Sequence, residues 1–192
     1  LVDLNRADES LIASLMARAG IEASAGDAML AAIKTLRTSR KKTTTEDSEA
    51  ASRDGEKPVP PSISSFAQIY GLQGAETGAV NSLLPFITLY SSDGKVNPMA
   101  APRTVLESVP SLSDSDRTTI LLAAERKQRQ GADIEAILKR SEKFLGIGEP
   151  RTFVIAVKVL SGPGVIAGSR MTASVILDDS NKVPIQVLAW SW

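Results

Sequence analysis

The sequence predicts an α+β chain, with a mainly helical domain of two related helix-turn-helix units followed by a small antiparallel sheet. Three observations carry this. Apolar residues recur at helical spacing up to about residue 147, then alternate with a period of two from residue 151 onward. A short lead rich in apolar and small residues precedes a helix twice, at Val2–Ala7 and Val96–Ala101. A polar stretch ending in prolines separates the two helical parts.

Residues 1–37 read as the first helical unit. Leu11, Ile12 and Leu15 recur at helical spacing. Asn5, with Asp8 three residues on, is the expected N-cap arrangement, which sets negative charge at the positive end of the helix. Gly20 is expected to end this helix. A second helix carries Ala25, Ala28, Met29, Ala32, Ile33 and Leu36 on one face. Residues 38–62 read as a flexible polar linker, because Ala50, Ala51 and Val59 are its apolar residues apart from the prolines. Such a segment buries too little to offset the entropy of ordering, and its charges are read as solvated.

Residues 63–147 read as the second helical unit. Phe66, Ile69, Tyr70 and Leu72 belong to one short helix. Val80, Leu83 and Leu84 belong to another, stopped near Pro85. A short extended piece over Phe86–Tyr90 follows. Val105, Leu106 and Val109 mark a helix with Pro102 in its first turn. Ile120, Leu121 and Ala124 mark a longer one, and Ile134, Ile137, Leu138 and Phe144 the last. Residues 151–192 read as a three-stranded antiparallel meander. Phe153, Ile155, Val157 and Val159 alternate, then Met171, Ala173, Val175 and Leu177, then Val183, Ile185, Val187 and Ala189. Turns fall at Gly162-Pro163-Gly164 and at Asp178–Asn181. A sheet this small must pack its apolar face on something.

Composition narrows the function classes. The 192 residues hold 22 basic and 22 acidic side chains, so no bulk field attracts nucleic acid or an anionic membrane. Aromatics are 4%, too few for base-stacking platforms. With no Cys and no His, disulfides, thiolate nucleophiles, imidazole bases and the common zinc sites are excluded. A metal would need oxygen ligands. The chain begins at Leu1 without a long apolar run, which we read as a fragment or a processed form.

The repeated lead carries a resemblance. Val2-Asp3-Leu4-Asn5-Arg6-Ala7 and Val96-Asn97-Pro98-Met99-Ala100-Ala101 are similar to an I-N-L-N-T-A pattern that precedes helices, more than once, in the general secretion pathway protein K family. Asp3 replaces the first Asn of the pattern in one copy and Met99 the second Asn in the other. Phe66–Leu72 followed by Leu84–Tyr90 resembles the segment between the family's copies, and the strands ending Val187-Leu-Ala-Trp190 resemble its C-terminal sheet. The resemblance implies a pilin-like fold in the full-length protein, with an N-terminal transmembrane helix and a helical domain inserted before the last strands. It implies a minor pseudopilin of the type II secretion system, non-enzymatic and without cofactor. Such a protein is anchored in the inner membrane with its globular part in the periplasm, and it binds two other minor pseudopilins at the pseudopilus tip. Membrane contact would come only through the missing helix, which leaves the meander short of a packing partner. Some members carry a disulfide, and this chain has no Cys. Some bind calcium. Here Asp114, Asp116, Asp178 and Asp179 are the candidate ligands, read as solvated turn carboxylates, so no metal site is assigned.

The rival reading is a helix-hairpin-helix DNA-binding module, since a similar lead occurs in DNA-uptake proteins. Such hairpins use Gly-x-Gly so that backbone amides approach a phosphate. Here the first turn is Gly20-Ile21-Glu22, the second Pro110-Ser111-Leu112, and Gly146-Ile147-Gly148 precedes Glu149-Pro150. Zero net charge weakens phosphate binding further, and no nucleic-acid partner is assigned. An enzyme is the third class, but no spacing pairs a nucleophile with a base, and no catalytic residue is assigned.

Overall fold

The computed structural model describes residues 1–47, 62–91, 93–126, 131–147, 152–158, 170–177 and 185–191. The chain divides into two compact units, Leu1–Ile147 and Gly148–Trp192. The coarse α+β class holds: helices fill the first unit and strands the second.

In the first unit, strand β1 (Val2–Asp3) leads into helix α1 (Glu9–Arg18). The N-cap of α1 is Asp8, whose side chain accepts the Ser10 amide at 3.0 Å; the expectation that Asn5 leads the cap is corrected. The chain between Asp3 and Asp8 is a turn, so the helix starts three residues later than an Asn5 cap would require. Gly20 ends α1 as expected. Its φ is +80°, and the Ile21 amide reaches the Met16 carbonyl at 3.0 Å while the Gly20 amide reaches Ala17 at 3.1 Å. This is the Schellman pattern, with Met16 and Ile21 both buried.

Helix α2 spans Ala23–Asp47. Met29 and Ile33 are fully buried, whereas Leu36, expected on the same face, is 37% exposed. The helix also runs through residues 38–47, which corrects the start of the predicted linker. The stretch has no apolar residue, and lack of an apolar face does not by itself end a helix. The rest of the predicted linker, 48–61, lies outside the described residues, and Ile63 is back in the core.

Helix α3 (Phe66–Tyr70) starts at a capping box formed by Ser65 and Gln68. Helix α4 (Thr77–Leu83) tightens into a 3-10 turn at Leu84–Phe86 containing Pro85, and strand β2 (Ile87–Thr88) follows. Helices α5 (Arg103–Ser108), α6 (Asp114–Glu125) and α7 (Ala132–Arg140) complete the unit. Pro102 is the N-cap of α5, one position before its first turn. The segments read as two units, 1–37 and 63–147, share one core: α1 packs on both α2 and α5, joining Leu11, Ile12 and Leu15 to Val105, Leu106 and Val109.

The repeat is visible in three dimensions. Val2 and Val96 are both fully buried and both sit in parallel pairing, Val2 with Ile87 and Val96 with Leu145. Each partner follows a phenylalanine, Phe86 or Phe144. Each lead therefore closes onto the segment that ends its own group of helices. Leu11, Ile12 and Leu15 correspond to Val105, Leu106 and Val109, each pair 94 residues apart and all fully buried. The first hairpin is three residues longer, after which Ile21 and Met29 match Leu112 and Ile120 at a spacing of 91. These parallel pairings differ from the sequence expectation, which has antiparallel pairing alone.

In the second unit, β3 (Thr152–Lys158), β4 (Arg170–Leu177) and β5 (Ile185–Ser191) pair antiparallel in the order β3-β4-β5. Ile155 stands opposite Ala173 and Phe153 opposite Val175. The β4–β5 register slips between Ser174 and Val175, so Val175 faces Val187 but Ala173 faces Trp190. This corrects the uninterrupted alternation expected through Ala189, since one inserted residue reverses the phase of a strand. Ala173 and Val175 on the central strand are buried, and Ile155 on β3 is 50% exposed. Val159, Val183 and both predicted turns lie outside the described residues.

Candidate functional site

The densest polar constellation is built on the first lead. Asp3 is 1% exposed and makes three charge-assisted bonds. Its Oδ1 accepts the Asn5 amide at 2.6 Å and the Arg6 amide at 2.9 Å, while Oδ2 accepts the Ser91 amide at 2.5 Å. Burial pushes the Asp3 carboxyl above the usual aspartate value, against the downward pull of the three amides and the Arg6 charge. The Asn5 amide group mimics a strand partner for Ile63: Oδ1 accepts the Ile63 N–H at 2.7 Å and Nδ2 donates to the Ile63 carbonyl at 3.0 Å. Nδ2 also donates to the Leu89 carbonyl at 3.1 Å. Arg37, on α2, donates from Nε and Nη2 to the Leu4 carbonyl at 2.9 and 2.7 Å. Residues 4 and 5 thereby hold Arg37 and Ile63, on either side of the segment 38–62. The sequence predicts Asn5 as part of the cap on the free amides of α1. The amide it satisfies belongs to Ile63, 58 residues away, and not to α1.

The second lead keeps only part of this. Asn97 Oδ1 accepts the Met99 amide at 3.0 Å, the counterpart of Asp3 and Asn5. Met99 in the Asn5 position packs against the core. A second copy without a long insertion needs no amide to tie one down.

The candidate calcium carboxylates are occupied or outside the described residues. Asp114 bonds Arg117 at 2.5 Å. Asp116 closes the α6 capping box with Ser113 and bonds Arg140 at 2.8 Å, and the Ser113 hydroxyl leads in holding its pKa below the usual aspartate value. Asp178 and Asp179 lie outside the described residues, and among those described no group of three acidic side chains comes together.

The hairpin turns offer little to a phosphate. The Glu22 carboxylate lies at the start of α2, bonded to the Ser24 amide and hydroxyl, so negative charge occupies the position where a DNA-binding hairpin presents bare amides. In the second turn, Ser111 bonds Ser141 at 2.8 Å. Gly146 donates its amide to the Val96 carbonyl at 3.1 Å, as part of the parallel bridge; Gly148 lies outside the described residues.

Every buried side-chain polar atom among the described residues has a hydrogen-bond partner. The constellation holds chain segments together, and its groups are already engaged with the protein itself. Among the described residues no helix is long and apolar enough to cross a membrane. No protein-family model matches the chain, and no curated protein matches it.

Proposed function

We propose that this chain is the globular part of a minor pseudopilin of the type II secretion machinery, a non-enzymatic component that binds other minor pseudopilins at the pseudopilus tip. The full-length protein would be pilin-like, anchored in the inner membrane and exposed to the periplasm. One observation carries the reading: two I-N-L-N-T-A-like leads, each opening a group of helices, followed by three antiparallel strands in a unit of their own. That order is the one the resemblance implies. The engaged hydrogen-bonding groups of the leads also suit a scaffold better than a reaction centre.

The test is co-purification with the two other minor pseudopilins of the same cell, using the chain extended by the N-terminal segment of its natural precursor. A stable three-protein complex is expected. If neither partner is retained, the tip reading fails. Salt-sensitive binding to duplex DNA would instead revive the helix-hairpin-helix alternative.

A further inference from the structure

We propose that Asp3 and the Ser91 amide form a pH-sensitive joint between the two copies of the repeat. The chain passes from β2 to the second lead through residues 89–95, and among the described residues the first lead meets this passage at Leu89, Ser91 and Gly94. Asn5 holds the Leu89 carbonyl, Asp3 holds the Ser91 amide, and Gly94, at φ +72°, lies so close to Arg6 that an added Cβ would stand 2.6 Å from the Arg6 carbonyl oxygen. Of these described contacts, the one at Asp3 is made by a group that can take up a proton.

Geometry makes that proton disruptive. All three of the Asp3 hydrogen bonds come from backbone N–H groups, two on Oδ1 and one on Oδ2. A solvent proton added to Oδ1 confronts two donors; added to Oδ2 it confronts one, the Ser91 amide. The less costly choice is Oδ2, whose single bond, from the Ser91 amide, then loses its charge assistance and weakens while the turn over Asn5 and Arg6 is spared. The second copy shows that the turn itself needs no charge, since neutral Asn97 makes it with a single oxygen. A carboxylate at position 3 adds a second acceptor, and that acceptor is spent on Ser91.

Charged groups around the site come from each neighbouring segment. Arg6 lies on the same lead, Arg37 reaches in from α2 with Asp8 and Glu9 nearby, and Asp93 on the connector accepts the Ser91 hydroxyl at 3.2 Å. Burial is the largest influence on Asp3 and raises its pKa above 3.8. The sign matters. A raised folded-state pKa means that the folded chain binds this proton more tightly than the unfolded chain does. The stability it contributes is full below the unfolded value and lost as pH rises through the raised one. Protonation of Asp3 therefore loosens the joint without favouring global unfolding.

Amide hydrogen exchange followed by NMR between pH 7 and pH 4 tests this, read as protection factors so that the intrinsic pH dependence cancels. The Ser91 amide should lose about tenfold in protection, with a midpoint above 3.8, while Ile12 and Leu106 keep theirs. Asp3→Asn should show the low Ser91 protection already at pH 7, with no further pH dependence. The joint is refuted if wild-type Ser91 protection stays constant across this range, if it falls only together with Ile12 and Leu106, or if Asp3→Asn protects Ser91 as the wild type does. The wild-type titration decides the matter even if the variant fails to fold.

Discussion

Asn5→Asp changes one atom's chemistry and no volume, and the structure gives its cost. In the native side chain Oδ1 accepts the Ile63 amide at 2.7 Å, while Nδ2 donates to the carbonyls of Ile63 and Leu89 at 3.0 and 3.1 Å. An aspartate keeps the first bond and turns the other two into carboxylate oxygen facing carbonyl oxygen. Two neutral hydrogen bonds at about 0.5–1.5 kcal/mol each are lost, and stranding their buried acceptors costs about 1–3 kcal/mol more. The expected loss is about 2–6 kcal/mol at pH 7. Urea unfolding followed by circular dichroism at 222 nm measures it on the first unit, which holds all the helices described. Lowering the pH to protonate the new carboxyl should recover part of the loss, because a protonated oxygen can again donate to one carbonyl. An Asn5→Asp protein within about 0.5 kcal/mol of wild type at pH 7 would refute the claim that this amide ties Ile63 and Leu89 to the lead.

Further expectations rest on the same unit. Gly94→Ala, with its new Cβ 2.6 Å from a backbone oxygen, should destabilise clearly more than Gly20→Ala, where nothing lies within 4 Å and only the left-handed conformation, about 1 kcal/mol, is at stake; equal losses in urea would contradict this. Leu15→Ala, at the fully buried centre of α1, should cost about 2–5 kcal/mol by the same measurement. The Asp8 carboxyl, held below the usual aspartate value by the Ser10 hydroxyl and then by Lys143, supports the fold above the ordinary aspartate range and loses that support as pH falls through its lowered pKa. Lys143→Ala should move the Asp8 titration upward, as read by carboxyl carbon shifts, and an unmoved titration would deny the 2.9 Å ion pair a role.

Most helices were legible because their apolar residues repeat at the period of a helix lying on a core. Leu11, Ile12 and Leu15 announce α1, and Gly20 announces its end. The same logic misjudged residues 38–47, because it looks for a repeated apolar stripe and this stretch has no apolar residue to repeat. It also put the cap at Asn5, because side-chain chemistry alone does not distinguish an amide that caps the next helix from one that binds a distant backbone. Asp3 and Arg37 drew no notice as site residues; the one available signal was an acid standing where the repeat otherwise carries Asn.

The sequence by itself determined the change of period near residue 150, the doubled lead, and the exclusion of thiol and imidazole chemistry, because these are properties of residue type and spacing along the chain. Only the tertiary structure decided which segments the leads hold. Val2 meets Ile87 and Val96 meets Leu145 through backbone hydrogen-bonding groups that every residue carries, so local sequence does not encode the partner. The Asp3 joint is of the same kind. A carboxylate becomes a buried acceptor for Ser91 only when a segment 88 residues away is folded against it.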